Sequence, residues 1–222
     1  MIKLGDLSLI LLAYLIGSIP FALVVGKLKY GADVRNFGSG NLGATNSVLV
    51  LGKKAGILVL LGDVGKGVLA TSLPALFQSN VNPVLIGAAV ILGHCFPIFA
   101  GFRGGKAVAP TAGVLIGYSP ILFLIGYMTF ILITLVTKYV FMGSLSIGVS
   151  LMMHSLYMGD QALALVFLTF SLFMVYLHRK NIINFLANKE VRINDKRIKE
   201  YQDNIKEELT ASEIANHDTG AS

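Results

Sequence analysis

Three stretches of this chain hold polar residues at spacings that suit an anion. The first is Gly38-Ser39-Gly40-Asn41-Leu42-Gly43-Ala44-Thr45-Asn46. Glycines and small hydroxyl residues let backbone N–H groups come close to a negative charge, above all where a helix begins. The run formally satisfies G-x-G-x-x-G, and Asp63 lies twenty residues after Gly43. A dinucleotide fold is rejected all the same. A long apolar segment and a polar loop precede the glycines where a strand would be needed, and no βαβ unit surrounds them. Two readings remain for this loop: an anion cradle, or a tight turn at a helix start.

The second stretch is Gly93-His94-Cys95-Phe96-Pro97, followed by Phe102-Arg103-Gly104-Gly105-Lys106. Two glycines and a lysine ahead of an apolar segment combine bare amides with positive charge at a helix N-terminus, which suits a phosphate. The spacing is not that of a Walker A loop. A basic membrane anchor is the competing reading. The third is His178-Arg179-Lys180-Asn181, with Glu190 further on. An anchor where a helix leaves the membrane accounts for Arg179 and Lys180. It does not account for His178 and Asn181, which lie three apart on one helix face and can each hydrogen-bond a phosphate or a hydroxyl.

Asp63 and Lys66 interrupt an apolar segment, where charges are costly unless paired or turned to a polar cavity. At i, i+3 they can pair with each other, and a structural ion pair is favoured over substrate contact. Cys95 is the sole cysteine and reads as a packed thiol. His154 reads as a hydrogen-bonded packing residue, and His217 lies in the tail. No His, Cys and carboxylate set has ligand spacing, so neither a metal nor a cofactor is expected. A Ser-His-Asp triad is equally unsupported.

The elements that must position these residues are membrane helices. The chain has 222 residues, 55% hydrophobic and 14% charged, with a mean hydropathy of +0.73. Soluble domains carry roughly 25% charged residues, so repeated long apolar runs point to one membrane domain. Apolar segments fall near 7–26, 55–77, 83–100, 107–118, 119–137, 140–158 and 161–177. The first lacks a small-x-small cleavage site and reads as a retained helix. The fourth is short, a brief crossing or a re-entrant element, and Gly117-Tyr118-Ser119-Pro120 turns it into the fifth.

Charge sets direction. Lys27, Lys29, Arg35, Lys53 and Lys54 face one acid, Asp33, between the first two segments. Arg103 and Lys106 follow the third segment, Lys138 follows the fifth, and the stretch after Leu177 is basic, whereas residues 78–82 and 159–160 hold no Lys or Arg. About seven crossings place every basic loop on one side, the cytoplasmic one. The expectation is an all-α polytopic membrane protein, N-terminus outside and C-terminus inside. Its membrane-embedded domain spans residues 1–190, and a polar cytoplasmic tail spans 191–222, an exposed helix with a disordered end. The net charge of +6 fits basic loops on anionic lipid. No basic stripe with aromatics supports nucleic-acid binding.

In this order, Gly17-Ser18-Ile19-Pro20, residues 33–46, residues 93–106 and the His178-to-Asn181 element strongly resemble the bacterial acyl-phosphate:glycerol-3-phosphate acyltransferases, the PlsY family. The resemblance implies a seven-helix enzyme of the cell membrane with its active site on the cytoplasmic face. Such an enzyme moves an acyl group from acyl phosphate to glycerol 3-phosphate and makes lysophosphatidate for phospholipid synthesis. It also implies contact with membrane lipids and with the soluble enzyme that makes acyl phosphate. Carried over by position, Ser39, Gly40 and Asn41 belong to the acyl-phosphate site, and Gly104, Gly105 and Lys106 to the glycerol 3-phosphate loop. His178, Asn181 and Ser39 take catalytic roles, Arg35 and Ser144 contact substrate, and Glu190 is structural.

Three departures mark a divergent member. Leu49 stands where the family has arginine, Phe141 and Gly143 replace small hydroxyl residues and leave Ser144, and Pro110-Thr111 replaces a Thr-Ser pair. The rival readings are a non-catalytic paralogue and a transporter of a phosphorylated molecule. Acyl-CoA chemistry is disfavoured, because no histidine has an aspartate five positions later.

Overall fold

The computed structural model describes residues 4–195, 198–199, 202–205 and 207, and all regular structure among them is helical. The backbone divides into two compact units. The first holds the described residues up to Pro110 together with those after Asp195; the second is residues 111–195.

The first unit contains α1 (Leu4–Gly17), α2 (Phe21–Tyr30), α3 (Ala44–Leu51), α4 (Lys53–Leu76) and α5 (Pro83–Cys95). The first apolar segment is therefore broken. Pro20 has no N–H to continue the ladder, and the chain turns through Ser18 and Ile19 before α2 begins. Gly31, at φ +61°, closes α2 in the left-handed conformation. Asn82 caps α5 by accepting from the Val84 N–H, with Pro83 at the first helical position. A core of Ala22, Val34, Leu42, Val50, Val59 and Ala100 is closed by Ile205 from the tail, which is only 3% exposed. Gln202 Nε2 donates to the Val48 carbonyl at 2.8 Å. The tail helix expected to be exposed departs from that at Ile205, which has an apolar socket and takes it, while Lys199, Asp203, Asn204 and Glu207 are exposed. His217 and the expected disordered end lie outside the described residues.

The boundary between the units falls within α6 (Val108–Tyr118). The second unit holds α7 (Pro120–Thr137), α8 (Val140–Tyr157), α9 (Gln161–Leu177) and α10 (Arg179–Leu186). Ser119 and Pro120 start α7 as the turn signal predicts, with the serine hydroxyl accepting the Leu122 N–H. Asp160 caps α9 in the same way. One face of α7 exposes Ile121, Leu124, Met128, Ile131, Leu132, Leu135 and Val136. A stripe that long and apolar is unusual against water and ordinary against lipid.

Five stretches among the described residues are long and apolar enough to cross a membrane, or six when α9 and α10, bent by 58°, count as one. Each of the seven apolar segments is helical at least in part. α6 has 11 residues, about 16 Å of helix against ~30 Å of hydrocarbon.

Candidate functional site

The glycine-rich loop is built around a buried amide. Asp33 opens it by accepting the Arg35 N–H at 3.0 Å, which starts a single 3-10 turn over Val34–Asn36. The Arg35 guanidinium folds back onto the same carboxylate, with Nη2 2.6 Å from Oδ2, while Nη1 donates to the Ala100 carbonyl at 3.3 Å. That guanidinium holds the Asp33 carboxyl below its ordinary range. Val34 and Leu42 anchor the two ends of the loop in the core.

Between them, Asn46 on the first turn of α3 reaches back. Its Nδ2 donates to the carbonyls of Val34 at 3.1 Å and Phe37 at 3.3 Å. Its Oδ1 accepts the Ser39 N–H at 2.9 Å and the Ser39 hydroxyl at 3.2 Å. Gly38 and Gly40 adopt φ of +60° and +67°, a conformation that side chains rarely take. Ser39 is left exposed, with Gly40 and Asn41 half-buried beside it.

The second stretch packs directly against the first. The Leu42 N–H donates to the Gly104 carbonyl at 3.4 Å, and the Gly105 N–H donates to the His94 carbonyl at 3.0 Å. A Cβ at Gly104 would strike the carbonyls of His94 and Cys95, and one at Gly105 would strike the His94 ring. Glycine is required at both positions by close approach. Lys106, half-buried, then stands two residues before the first turn of α6. One unit thus brings together Arg35, Ser39, Gly40, Asn41, Gly104, Gly105 and Lys106. Close-packed glycines and a lysine just ahead of a helix N-terminus are features that suit a phosphate-like group.

The remaining expected site residues belong to the second unit. His178 sits at the bend between α9 and α10, buried, with Nδ1 2.9 Å from the Met174 carbonyl. A carbonyl can only accept, so Nδ1 carries the proton and Nε2 holds the lone pair. Asn181 Nδ2 donates to Glu190 Oε1 at 2.6 Å. The Ser144 hydroxyl donates to the Val140 carbonyl of its own helix at 2.9 Å. Phe185 of α10 meets Tyr139 and Phe141 with ring centroids 5.1 and 5.8 Å apart, which brings α10 to the start of α8 where Ser144 lies.

Sequence reasoning missed the organising role of Asn46. A buried polar residue one turn past a glycine-rich loop was the available signal. It also missed His94, which joins the paired Asp63 and Lys66.

A family profile described as glycerol-3-phosphate acyltransferase matches residues 7–188. The chain belongs to the glycerol-3-phosphate acyltransferase family. A relative named glycerol-3-phosphate acyltransferase from Bacillus cytotoxicus is 46% identical over 186 residues, covering 84% of this chain and 94% of the relative. Two solved structures share the fold, both of PlsY, an integral membrane glycerol 3-phosphate acyltransferase. Its glycerol 3-phosphate form aligns with a TM-score of 0.78 at 36% identity, over 86% of this chain and 96% of that one. Its lysophosphatidic acid form aligns with a TM-score of 0.76 at 34% identity, over 87% and 98%. Within this family the apolar helices described above make the chain a multi-pass membrane protein.

Proposed function

We propose that this acyltransferase moves a fatty acyl group from an acyl phosphate to the 1-hydroxyl of sn-glycerol 3-phosphate, giving lysophosphatidate and inorganic phosphate. The hydroxyl oxygen attacks the acyl carbonyl carbon, the bond from that carbon to the phosphate oxygen breaks, and phosphate leaves with the electron pair. The observation that carries the reading is the junction of the two anion-binding loops through Leu42 and Gly104. Two phosphorylated substrates need two anion sites side by side. The PlsY structures carry glycerol 3-phosphate in one form and lysophosphatidic acid in the other, the acceptor and product of this reaction.

In this reading Ser39, Gly40 and Asn41 hold the acyl phosphate with Arg35 beside them, and Gly104, Gly105 and Lys106 hold glycerol 3-phosphate. From the family resemblance alone, His178 and Asn181 are assigned catalytic roles and Ser144 a substrate contact. Catalysis comes chiefly from positioning and from neutralised phosphate charge. Two groups can take the hydroxyl proton: a substrate phosphate oxygen, or Nε2 of His178. In a His178→Gln variant, an unchanged alkaline rise in rate assigns the proton to phosphate, and its loss assigns it to His178.

Seven crossings, with the N-terminus outside and the tail inside, put both loops at the cytoplasmic face of the cell membrane. There a soluble enzyme can deliver acyl phosphate. The basic loops support this orientation.

The test is incubation of the purified protein with palmitoyl phosphate and labelled glycerol 3-phosphate. Lysophosphatidate should form, and Lys106→Ala should abolish it at low acceptor concentration. A folded protein that forms none refutes the reading, as does labelling of Lys106 from outside intact cells.

A further inference from the structure

Asp63, Lys66 and His94 form a buried network that the proposed reaction does not use. Lys66 Nζ lies 2.8 Å from Asp63 Oδ1, 2.8 Å from His94 Nδ1 and 3.0 Å from the Ile19 carbonyl. A lysine ammonium has three N–H donors and no acceptor. Three neighbours therefore use all three donors. His94 Nδ1 also lies 3.4 Å from Asp63 Oδ1, but the ammonium at 2.8 Å is the nearer group and can only donate, so Nδ1 accepts from Lys66. The imidazole is thereby fixed in the tautomer with its proton on Nε2. Nε2 is the ring atom that a Cβ on Gly105 would strike first. The His94 carbonyl holds the Gly105 N–H at 3.0 Å from the other side. Asp63, Lys66 and His94 are 1%, 3% and 5% exposed, so water does not compete for these contacts.

We propose that the Asp63–Lys66–His94 network is a positioning device for the phosphate loop. Lys66 fixes the tautomer and orientation of His94, and the His94 ring and carbonyl together fix Gly104, Gly105 and Lys106. The Ile19 carbonyl, freed where the helix breaks before Pro20, is the third anchor of Lys66 and ties the broken first span to the same device. None of these residues touches the reacting atoms. The inference rests on the reading of that loop as the glycerol 3-phosphate site.

The informative substitution is His94→Asn, which leaves an acceptor for Lys66 but removes the ring edge from Gly105. It should raise KM for glycerol 3-phosphate tenfold or more, leave KM for acyl phosphate within twofold, and speed amide hydrogen exchange across residues 97–106 without substrate. Gly105→Ala, whose methyl group pushes on the same ring from the loop side, should give the same acceptor-specific defect. The double variant should be less impaired than the two effects multiplied, since the smaller side chain makes room for the new methyl. The ring nitrogens of His94 should show the Nε2-protonated signature by nitrogen NMR and lose it in Lys66→Met.

Unchanged exchange with unchanged KM for glycerol 3-phosphate in His94→Asn overturns the proposal, and so does a multiplicative double variant. Lys106→Ala separates the two claims. If it leaves KM for glycerol 3-phosphate intact while His94→Asn still loosens residues 97–106, the reading of the loop fails and the positioning device stands.

Discussion

Asn46 Oδ1 accepts both the backbone N–H and the hydroxyl of Ser39, at 2.9 and 3.2 Å. One buried amide therefore sets the direction of an exposed serine, while its Nδ2 satisfies two loop carbonyls.

Asn46→Ala removes those bonds and leaves the Val34 carbonyl with only the long 3.4 Å bond from the Phe37 N–H, at a cost of about 1–3 kcal/mol. The melting temperature should fall. Displacement of Ser39 should lower kcat/KM for acyl phosphate by ~100-fold, the scale of a misplaced catalytic group. Asn46→Asp keeps the acceptor and should lie between the two. Steady-state kinetics with acyl phosphate varied decide it, and an Asn46→Ala enzyme with normal kinetics would remove the loop from the site.

The Arg35 pair gives a signature in pH. Arg35 depresses the Asp33 carboxyl, so the pair's stabilisation is complete above the unfolded carboxyl value, about 3.9, and is lost as pH falls through the lowered folded value. Asp33→Asn should melt a few degrees below the parent at pH 6, reflecting about 0.5–1 kcal/mol for a partly exposed pair. The gap should close towards pH 3. A gap that widens on acidification contradicts the assignment.

Leu49 lies three residues beyond Asn46 on α3 and packs beside Gly38. Family resemblance places arginine there. Leu49→Arg should add a charge-assisted hydrogen bond to phosphate and raise kcat/KM about tenfold. No gain would mean that Arg35 or Lys53 already supplies that charge.

Ile205 sits beyond the segment matched by the family profile, yet it fills the core between Val34, Leu42 and Ala100. Ile205→Ala should destabilise the protein by about 2–3 kcal/mol, the range for emptying an aliphatic site. Thermal melting in detergent measures this, and an unaltered melt would show that the tail residue carries no weight.

Much of this architecture was legible because it is local. Ser119-Pro120 announces the start of α7, and the spacing of Asp63 and Lys66 announces their pairing. The two glycine-bearing loops stood out by residue type, though their packing against each other through Leu42 and Gly104 did not. What stayed hidden depends on contacts between distant residues. His94 meets Lys66 across 28 positions of sequence, and periodicity carries no information about such a meeting. Ile205 does not differ from the other scattered apolar residues of the polar tail until its socket is seen. The break at Pro20 was masked by apolar residues on both sides, which read as one span by hydropathy.

The placement of Asp63 and Lys66 one turn apart on α4 has a consequence for biogenesis. A lone charge at mid-helix costs about 2.5–3.5 kcal/mol on entering the bilayer. Here the segment brings its own counter-ion, so it can partition from the translocon as a nearly neutral rod before α5 has been synthesised. The histidine arrives later, to a cation already in place.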